Sequence, residues 1–305
     1  MRPDFNTTFD FHVHTHLSDG DPDQSPETVC RQAVESGIGC LGITDHDTLL
    51  PEQRRRELEM RYRLTLVPGC EISCLYIPPY STDEVVVHLG AHWLKPDDPD
   101  IQSIVDHNSD QAYDLRVEKM LEKCSQQGIL PVETDIGDCL DRIKAENPCS
   151  THLGKRAVAK FLVSNGYAAT RNEAYALLAY GGPAYVDPLE DLRFVSFEEA
   201  VEAISRNSIC TLNHIYYSHL DDAGNRELLR RFKACGGQAL EVIYTRYLQE
   251  PARMRQLTQF SEDYGLLMNC GSDRHDVSRP FLRGPGELYN KLLERQLELH
   301  GTTHT

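Results

Sequence analysis

Histidine and carboxylate side chains recur at the ends of short apolar runs in this sequence. His12 and His14 lie two residues apart, so an extended strand places both side chains on one face. The other members of the set follow later apolar runs: Asp45, His46, Asp47, Glu71, His88, His214, Asp273 and His275. Because these residues stand at the same relative position after separate runs, we expect their side chains to converge.

Histidine, aspartate and glutamate without cysteine are typical ligands of catalytic Mn, Fe or Zn ions, and not of a closed structural zinc. Two or more such ions a few ångströms apart bind and activate a hydroxide and neutralise a phosphoryl oxygen. A single histidine on an apolar strand is usually an ordinary core or surface residue. Burying this many charged groups together without a cation would be very costly, so the set predicts a multinuclear metal site.

The elements that must position these side chains alternate between short β-branched runs and helical stretches, which is typical of βα units with a parallel sheet. The predicted strands cover residues 9–13, 40–44, 64–67, 85–89, 208–212, 239–243 and 266–270. Each strand except the sixth delivers a histidine or a carboxylate near its carboxyl end. In a closed β/α barrel those ends meet on one face, where active sites are built.

Two predicted helices carry signals at their first turn. Pro26 stands at a first-turn position of a helix at 25–36. Ser196 and Glu199 have the spacing of a capping box at the start of a helix at 196–206.

One long segment interrupts the series of strands and is mostly helical in pattern. We interpret residues 96–188 as an inserted helical lid subdomain that covers the site. Residues 1–95 and 189–285 then form the barrel domain, and 286–305 a C-terminal tail with a polar end. The helical stretches of the insert are 101–127, 153–165 and 171–179.

The composition limits the class of protein and its partners. With 31 Lys and Arg against 47 Asp and Glu, the formal charge is −16, which disfavours binding to duplex DNA. No apolar run approaches the ~18 residues of a membrane span, and the N-terminus lacks the apolar core of a signal peptide. The ten cysteines occur singly, without a CxxC pair, and this pattern predicts reduced thiols. We therefore expect a cytoplasmic enzyme; the sequence does not indicate its oligomeric state.

Several segments together resemble the PHP (polymerase and histidinol phosphatase) superfamily. They are His12-Val13-His14, Ser18-Asp19-Gly20, Ile43-Thr44-Asp45-His46-Asp47-Thr48, Pro68-Gly69-Cys70-Glu71-Ile72-Ser73 and Ser272-Asp273-Arg274-His275. Within that superfamily the chain is similar to stand-alone metal-dependent phosphoesterases with a helical lid, and segments 162–167 and 181–186 of the insert match as well. That branch includes nucleoside 3′,5′-bisphosphate phosphatases and 5′→3′ exoribonucleases acting on short RNAs. The resemblance covers about residues 8–280 and implies a distorted (β/α)7 barrel of the PHP type with an inserted lid.

The resemblance also implies a trinuclear centre of Mn, Fe or Zn. In that arrangement the first ion is held by His12, His14, Glu71 and Asp273, the second by Glu71, His88 and His214, and the third by Asp19, His46 and His275. Glu71, Asp273, His214 and His275 are the predicted catalytic residues, the two histidines as candidates for holding or relaying protons. His92 competes with His88, and we prefer His88. Asp45 and Asp47 are interpreted as helix-start caps or as partners that orient His46.

Basic residues are the candidates for binding the substrate phosphate. The resemblance favours Arg116 and Lys155 in the insert, and Arg156, Arg246 and Arg274 are further candidates. The Arg-Pro-His of many relatives is Lys-Arg-Ala at 155–157, which replaces a guanidinium with an ammonium and loses a histidine. Tyr216, Tyr217 and Tyr247 could stack a base.

The predicted reaction is hydrolysis of a phosphate ester of a nucleotide or a short RNA end by a metal-bound hydroxide. A histidinol-phosphate-type or cyclic-phosphodiester phosphatase is an alternative within the superfamily. From other classes, an amidohydrolase-type amide or lactone hydrolase and a metal-free, non-catalytic PHP module stay open. No lysine stands at a strand end, where such amidohydrolases commonly carry one, and a non-catalytic module usually lacks several ligands.

Overall fold

The computed structural model describes residues 7–81, 83–95 and 97–301, and its centre is a barrel-like sheet. Eight strands form it: β1 (Phe9–Val13), β2 (Cys40–Ile43), β3 (Thr65–Tyr76), β4 (Val85–His92), β5 (Val195–Ser196), β6 (Ile209–Leu212), β7 (Ala239–Tyr244) and β8 (Leu267–Gly271). Seven of them follow one another in the order β1-β2-β3-β4-β6-β7-β8, and the short β5 pairs with β3. The predicted distorted barrel of seven strands is confirmed.

Hydrogen bonds between β1 and the segment after β8 bring the two ends of the sheet together. The Asp273 N–H donates to His12 O (2.8 Å), and the His14 N–H donates to Arg274 O (2.9 Å). The first and last strands therefore present their ligand-bearing segments side by side.

The sheet departs from the all-parallel arrangement expected from the sequence at β4. This strand runs antiparallel to both β3 and β6. Residues 77–81 and 83–84, the described part of the connection between β3 and β4, contain no helix, and a parallel pair requires a crossover of a dozen or more residues. β3 is also longer than expected and continues to Tyr76, so Glu71 lies inside the strand and not after it.

Eleven helices surround or cover the barrel in the described ranges: α1 (Pro26–Glu35), α2 (Glu52–Tyr62), α3 (Pro99–Ser109), α4 (Tyr113–Gln126), α5 (Ile136–Glu146), α6 (Lys155–Ser164), α7 (Arg171–Leu178), α8 (Phe197–Ser205), α9 (Asp222–Ala234), α10 (Pro251–Tyr264) and α11 (Gly286–Leu299). None of them combines the length and the apolar character that a membrane span requires.

The predicted start signals of α1 and α8 are confirmed. The Ser25 side chain accepts a hydrogen bond from the Thr28 N–H (3.1 Å), with Pro26 in the first turn. The Ser196 side chain accepts one from the Glu199 N–H (3.3 Å). Both caps satisfy backbone donors that the first turn of a helix leaves without an intrahelical partner.

The helical insert has an apolar core of its own, built from buried side chains such as Met120, Phe161 and Leu162. The single helical stretch expected at 101–127 is two helices, α3 and α4, which are separated at residues 110–112. α5 was not expected as a separate helix. The boundaries of the lid subdomain at 96 and 188 stay a prediction.

The segment interpreted as a C-terminal tail forms a helix as far as Leu299. Leu292 of α11 is fully buried and packs with Phe9 and Phe11 of β1. This helix therefore belongs to the packed core of the barrel. The last residues of the polar end, 302–305, lie outside the described residues.

Candidate metal centre

The two histidines of β1 lie on the inner face of the barrel, as their spacing predicts. His12 and His14 are 1% and 0% exposed, and their Nε2 atoms are 3.1 Å apart. Asp10, two residues earlier on the same face, accepts hydrogen bonds from the Ser272 and Leu282 N–H groups. Asp10 thus fixes the strand that carries the histidines against the segment that follows β8.

Glu71 stands at the centre of the cluster. It is fully buried in β3, and its carboxylate faces five histidines from four segments of the chain. The nitrogen–oxygen distances are 3.1 Å to His12, 3.2 Å to His14, 3.3 Å to His46, 3.7 Å to His88 and 3.1 Å to His214. A carboxylate in this position can bridge two cations.

A second group of donors lies beside the first. Asp19 Oδ1 is 3.0 Å from His275 Nε2, 4.0 Å from His46 Nε2 and 3.9 Å from His14 Nδ1. Asp273 Oδ1 is 3.2 Å from His275 Nδ1 and 3.3 Å from His14 Nε2, so it connects this group to the first.

The backbone around Asp19 and Asp273 is adapted to present these carboxylates. Asp19 lies in a tight turn in which the Gly20 N–H donates to Thr15 O (3.0 Å). A Cβ at position 20 would overlap the Thr15 carbonyl, so the turn requires glycine. Asp273 has a φ of 52°, in the left-handed region that few residues other than glycine adopt.

The structure brings His88, and not His92, to the cluster. Because β4 is antiparallel to its neighbours, its later residues lie further from the ligand-bearing end of the barrel. His92 is at the far end, where its ring stacks on Phe11 (5.2 Å) and its Nε2 is 3.2 Å from Asn269 Nδ2. The expectation that His88 lies late in the strand is wrong: it is the fourth of eight residues.

The donor atoms of the cluster fit a group of cations. Among the described residues, the buried atoms His14 Nδ1, Asp19 Oδ1, Glu71 Oε2 and His88 Nδ1 make no hydrogen bond of good geometry, although other members of the cluster lie 3.0–3.9 Å away. Three sets of donors each lie within 4.8 Å of one another: His14, Asp19, His46 and His275; His12, His14 and Glu71; and His46, Glu71 and His88. Buried polar atoms without partners are costly unless a ligand satisfies them.

The electrostatics of the cluster agree with this fit. Burial alone would raise the pKa of Glu71, but His12, His46 and His88 outweigh it and hold that pKa well below its usual value. Burial lowers the pKa of His88 to about 3, which leaves its imidazole neutral at pH 7. The cluster therefore offers an ionised carboxylate and a neutral ring nitrogen, the protonation states in which these groups bind metals.

Sequence reasoning missed Glu241, which holds two of the cluster's histidines. The sixth predicted strand was thought to deliver no such residue, but this fully buried glutamate lies in β7. Its Oε1 is 2.7 Å from His12 Nδ1, and its Oε2 accepts a hydrogen bond from the His214 N–H (3.0 Å). The sequence feature that could have revealed it is an acidic residue between Leu240 and Val242 in an otherwise apolar strand.

Two neutral side chains also support the carboxylates. Asn213 Nδ2 donates to Glu71 Oε1 (2.8 Å), and the Tyr244 hydroxyl donates to Asp273 Oδ2 (2.8 Å). Outer partners of this kind fix the orientation of metal ligands.

Asp45 and Asp47 lie next to His46 but orient loops instead of capping a helix. Asp45 accepts hydrogen bonds from the Thr15 N–H (2.6 Å) and the Ser18 hydroxyl (2.7 Å), which fixes the turn that carries Asp19. Asp47 accepts one from the Ser73 N–H (3.0 Å). Its other oxygen is 3.6 Å from Nε2 of His152, a buried histidine of the insert that sequence reasoning did not single out.

Basic residues of the insert face the cluster. Arg156 Nε is 3.3 Å from Asp19 Oδ2. Lys155 keeps an exposed surface, but desolvation by the surrounding atoms, followed by the charges of Arg116, Arg156 and Arg246, lowers its pKa. Arg116 and Lys155 therefore share one positively charged region.

Two of the other candidates for substrate contact do not reach the cluster. Arg274 is 1% exposed; it donates to Arg279 O (2.7 Å) and Val277 O (3.0 Å), and its guanidinium covers the ring of Phe281. Tyr247 is 2% exposed and has no face open to a base. Both residues are held by core packing.

Comparison with known proteins gives three further findings. Residues 10–144 match the PHP domain. The chain is similar to the 5′-3′ exoribonucleases Rnm of Salmonella typhimurium and Escherichia coli, each 28% identical over 88% of this chain and 85% of the relative. It is also similar to the crystal structure of a protein assigned as a metal-dependent phosphoesterase from Bifidobacterium adolescentis. That structure is 26% identical and covers 98% of this chain and 100% of its own, with a TM-score of 0.74.

Proposed function

We propose that this chain, which matches the PHP domain over residues 10–144 and is similar to a metal-dependent phosphoesterase structure over most of its length, is a metal-dependent hydrolase of nucleotide or short RNA phosphate esters. The observation that carries the proposal is the convergence of nine histidine and carboxylate residues, Glu71 and Asp273 among them. Several of their buried nitrogen and oxygen atoms make no hydrogen bond within the described residues. The substrate class and the number of ions are the parts of the proposal that go beyond the resemblance.

The chain's residues would hold three divalent ions in overlapping sets. Glu71 would bridge the set of His12, His14 and Asp273 to the set of His88 and His214, and Asp19, His46 and His275 would form the third. Ions bound there would supply an activated water and neutralise charge on the phosphoryl oxygens. Glu241 would keep the proton of His12 on Nδ1 and leave Nε2 free as a ligand.

The basic residues of the insert would bind and orient the phosphate. The Nε of Arg116 is buried and has no hydrogen-bond partner within the described ranges, so it can donate to an anion. Lys155 would add a point charge. Arg156 is already paired with Asp19, so we propose that it positions that carboxylate.

The experiment is product release from a panel of substrates with Mn²⁺ supplied. The panel contains a nucleoside 3′,5′-bisphosphate, a 5′-phosphorylated oligoribonucleotide, a cyclic phosphodiester and histidinol phosphate. We expect turnover of a nucleotide or the oligoribonucleotide by the wild-type protein. The Glu71→Gln variant should lose most bound metal and nearly all turnover.

The matched control is Glu202→Gln, because Glu202 is an exposed glutamate on α8. Full activity in Glu71→Gln would refute the site. Turnover of histidinol phosphate or the cyclic diester alone would refute the proposed substrate class but retain the reaction. No turnover with metal bound to the wild-type protein would refute both nucleotide and RNA substrates.

A further inference from the structure

An exposed aromatic pair connects the insert to the barrel. Tyr180, in the segment after α7, is 75% exposed, and its ring stacks on that of His219 at a centroid distance of 5.6 Å and an angle of 26°. The Tyr185 ring stands at 79° to the Tyr180 ring, with the two ring centroids 5.5 Å apart. Large aromatic side chains that remain exposed while already stacked on one another form a surface on which a further flat ring can pack.

The backbone at His219 is unusual for such an exposed position. Its φ of 55° is in the left-handed region, which costs a residue other than glycine free energy. His219 ends the short 3-10 turn Ile215–Ser218, which begins directly after His214. The turn thus joins a residue of the metal cluster to the exposed aromatic pair.

Between His214 and His219 along the chain lies Tyr217, which has an aromatic and a basic neighbour. The Tyr217 ring, which is 38% exposed, lies 5.0 Å from the guanidinium of Arg246 and 4.9 Å from the His214 ring. The Tyr217 hydroxyl is 3.2 Å from that of Tyr244, which donates to Asp273.

Positive charge from the insert gathers beside Arg246. Arg116 and Lys155 stand near Arg246, in a chain whose net charge is −16. Single-stranded nucleic acid is bound by a positively charged groove combined with aromatic rings that stack on successive bases. An arginine beside an aromatic ring adds cation–π stabilisation.

We propose that Tyr180 and His219 form a stacking subsite for a base beyond the terminal nucleotide, so that the enzyme distinguishes an oligoribonucleotide end from a mononucleotide. The proposal rests on the proposed function, since a nucleotide phosphate must first be held at the metal cluster. A mononucleotide has no second base for the Tyr180–His219 pair. An oligoribonucleotide supplies one.

The test compares two substrates in three variants. The ratio of kcat/KM for a 5′-phosphorylated trinucleotide to that for a nucleoside 3′,5′-bisphosphate is measured at fixed salt. Tyr180→Ala should lower this ratio about 5- to 100-fold, mainly through KM, since stacking on an aromatic side chain contributes that much per base. Tyr180→Phe keeps the ring and should restore most of the ratio. Tyr80→Ala removes a fully exposed tyrosine of another loop and should not change it.

Each outcome decides the question. If kcat/KM in Tyr180→Ala falls equally for both substrates, the pair only fastens the insert to the barrel. If kcat/KM is unchanged for both substrates, the pair is an ordinary surface contact. Either result overturns the subsite. Binding of a fluorescent 5′-phosphorylated trinucleotide with non-hydrolysable phosphorothioate linkages, measured with Mn²⁺ supplied, separates the two proposals. If Tyr180→Ala weakens this binding while the wild-type protein hydrolyses no nucleotide, the subsite stands and the proposed function fails.

Discussion

Replacing Glu241 with glutamine tests whether the metal site depends on a residue that touches no ion. Both atoms that face the Glu241 carboxylate are donors: His12 Nδ1–H at 2.7 Å and the His214 backbone N–H at 3.0 Å. A carboxylate accepts from both. Glutamine has one oxygen, so its NH₂ must face one of the two donors, or His12 must move its proton to Nε2.

The arrangement in which His12 carries its proton on Nε2 is the more damaging one. His12 Nε2 is the nitrogen that faces Glu71, at 3.1 Å, and a proton there would remove the lone pair that a cation needs. The loss of one charge-assisted hydrogen bond in a fully buried site costs about 1.5–3 kcal/mol. Since 1.4 kcal/mol corresponds to a factor of ten, we expect metal affinity and turnover to fall roughly 10- to 100-fold, the range known for partners of metal-binding histidines.

The assay is metal affinity by competition with a chromophoric chelator, measured beside turnover. Glu202→Gln is the control for the substitution itself, because that glutamate is exposed on α8. Urea unfolding of the metal-free proteins shows whether the fold is retained. If Glu241→Gln folds, binds metal as tightly as the wild-type protein and retains its turnover, the argument from the His12 tautomer is refuted.

Three further predictions concern packing and charge. Gly271→Ala should destabilise the protein by about 1–3 kcal/mol in urea unfolding and weaken metal binding, because a Cβ there would overlap His12 and Glu241; unchanged affinity would contradict this. Phe197→Ala should cost about 3–5 kcal/mol in urea unfolding, because this fully buried ring packs between those of Tyr76 and Phe232; a loss below 1 kcal/mol would show that the site collapses around the smaller side chain. Because burial and neighbouring cations lower the pKa of Lys155, its positive charge is lost at a lower pH than that of an ordinary lysine, and KM for a phosphate ester should rise early on the alkaline side. Lys155→Arg keeps the charge and should move that rise to higher pH, which KM measured from pH 7 to 10 would reveal.

The strands and the residues of the cluster were largely predictable because each depends on local pattern. The spacing of His12 and His14 fixes a shared face whatever the rest of the chain does. The polar residues after other strands converge because barrel geometry leaves them one common end. The same reasoning failed at β4, since its direction depends on how the chain connects it to β3, and a strand's residues do not record its direction.

The supporting contacts were less predictable because they join distant parts of the chain. Glu241 and His12 are 229 residues apart, and nothing local to β7 indicates which side chain its glutamate meets. Arg274 illustrates the opposite error. Its position near the end of a later strand made it a candidate for substrate contact, whereas its side chain donates to the carbonyl groups of Val277 and Arg279.

The reversed direction of β4 also bears on the order in which the molecule folds. β3 and β4 form an antiparallel hairpin with eight pairs of facing residues, and Glu71 and His88 lie on its two strands. A hairpin closes a short loop and forms on the microsecond scale, whereas pairing β1 with the segment after β8 must close nearly the whole chain. We therefore expect this hairpin to be an early native unit, on which the histidines from distant segments later assemble.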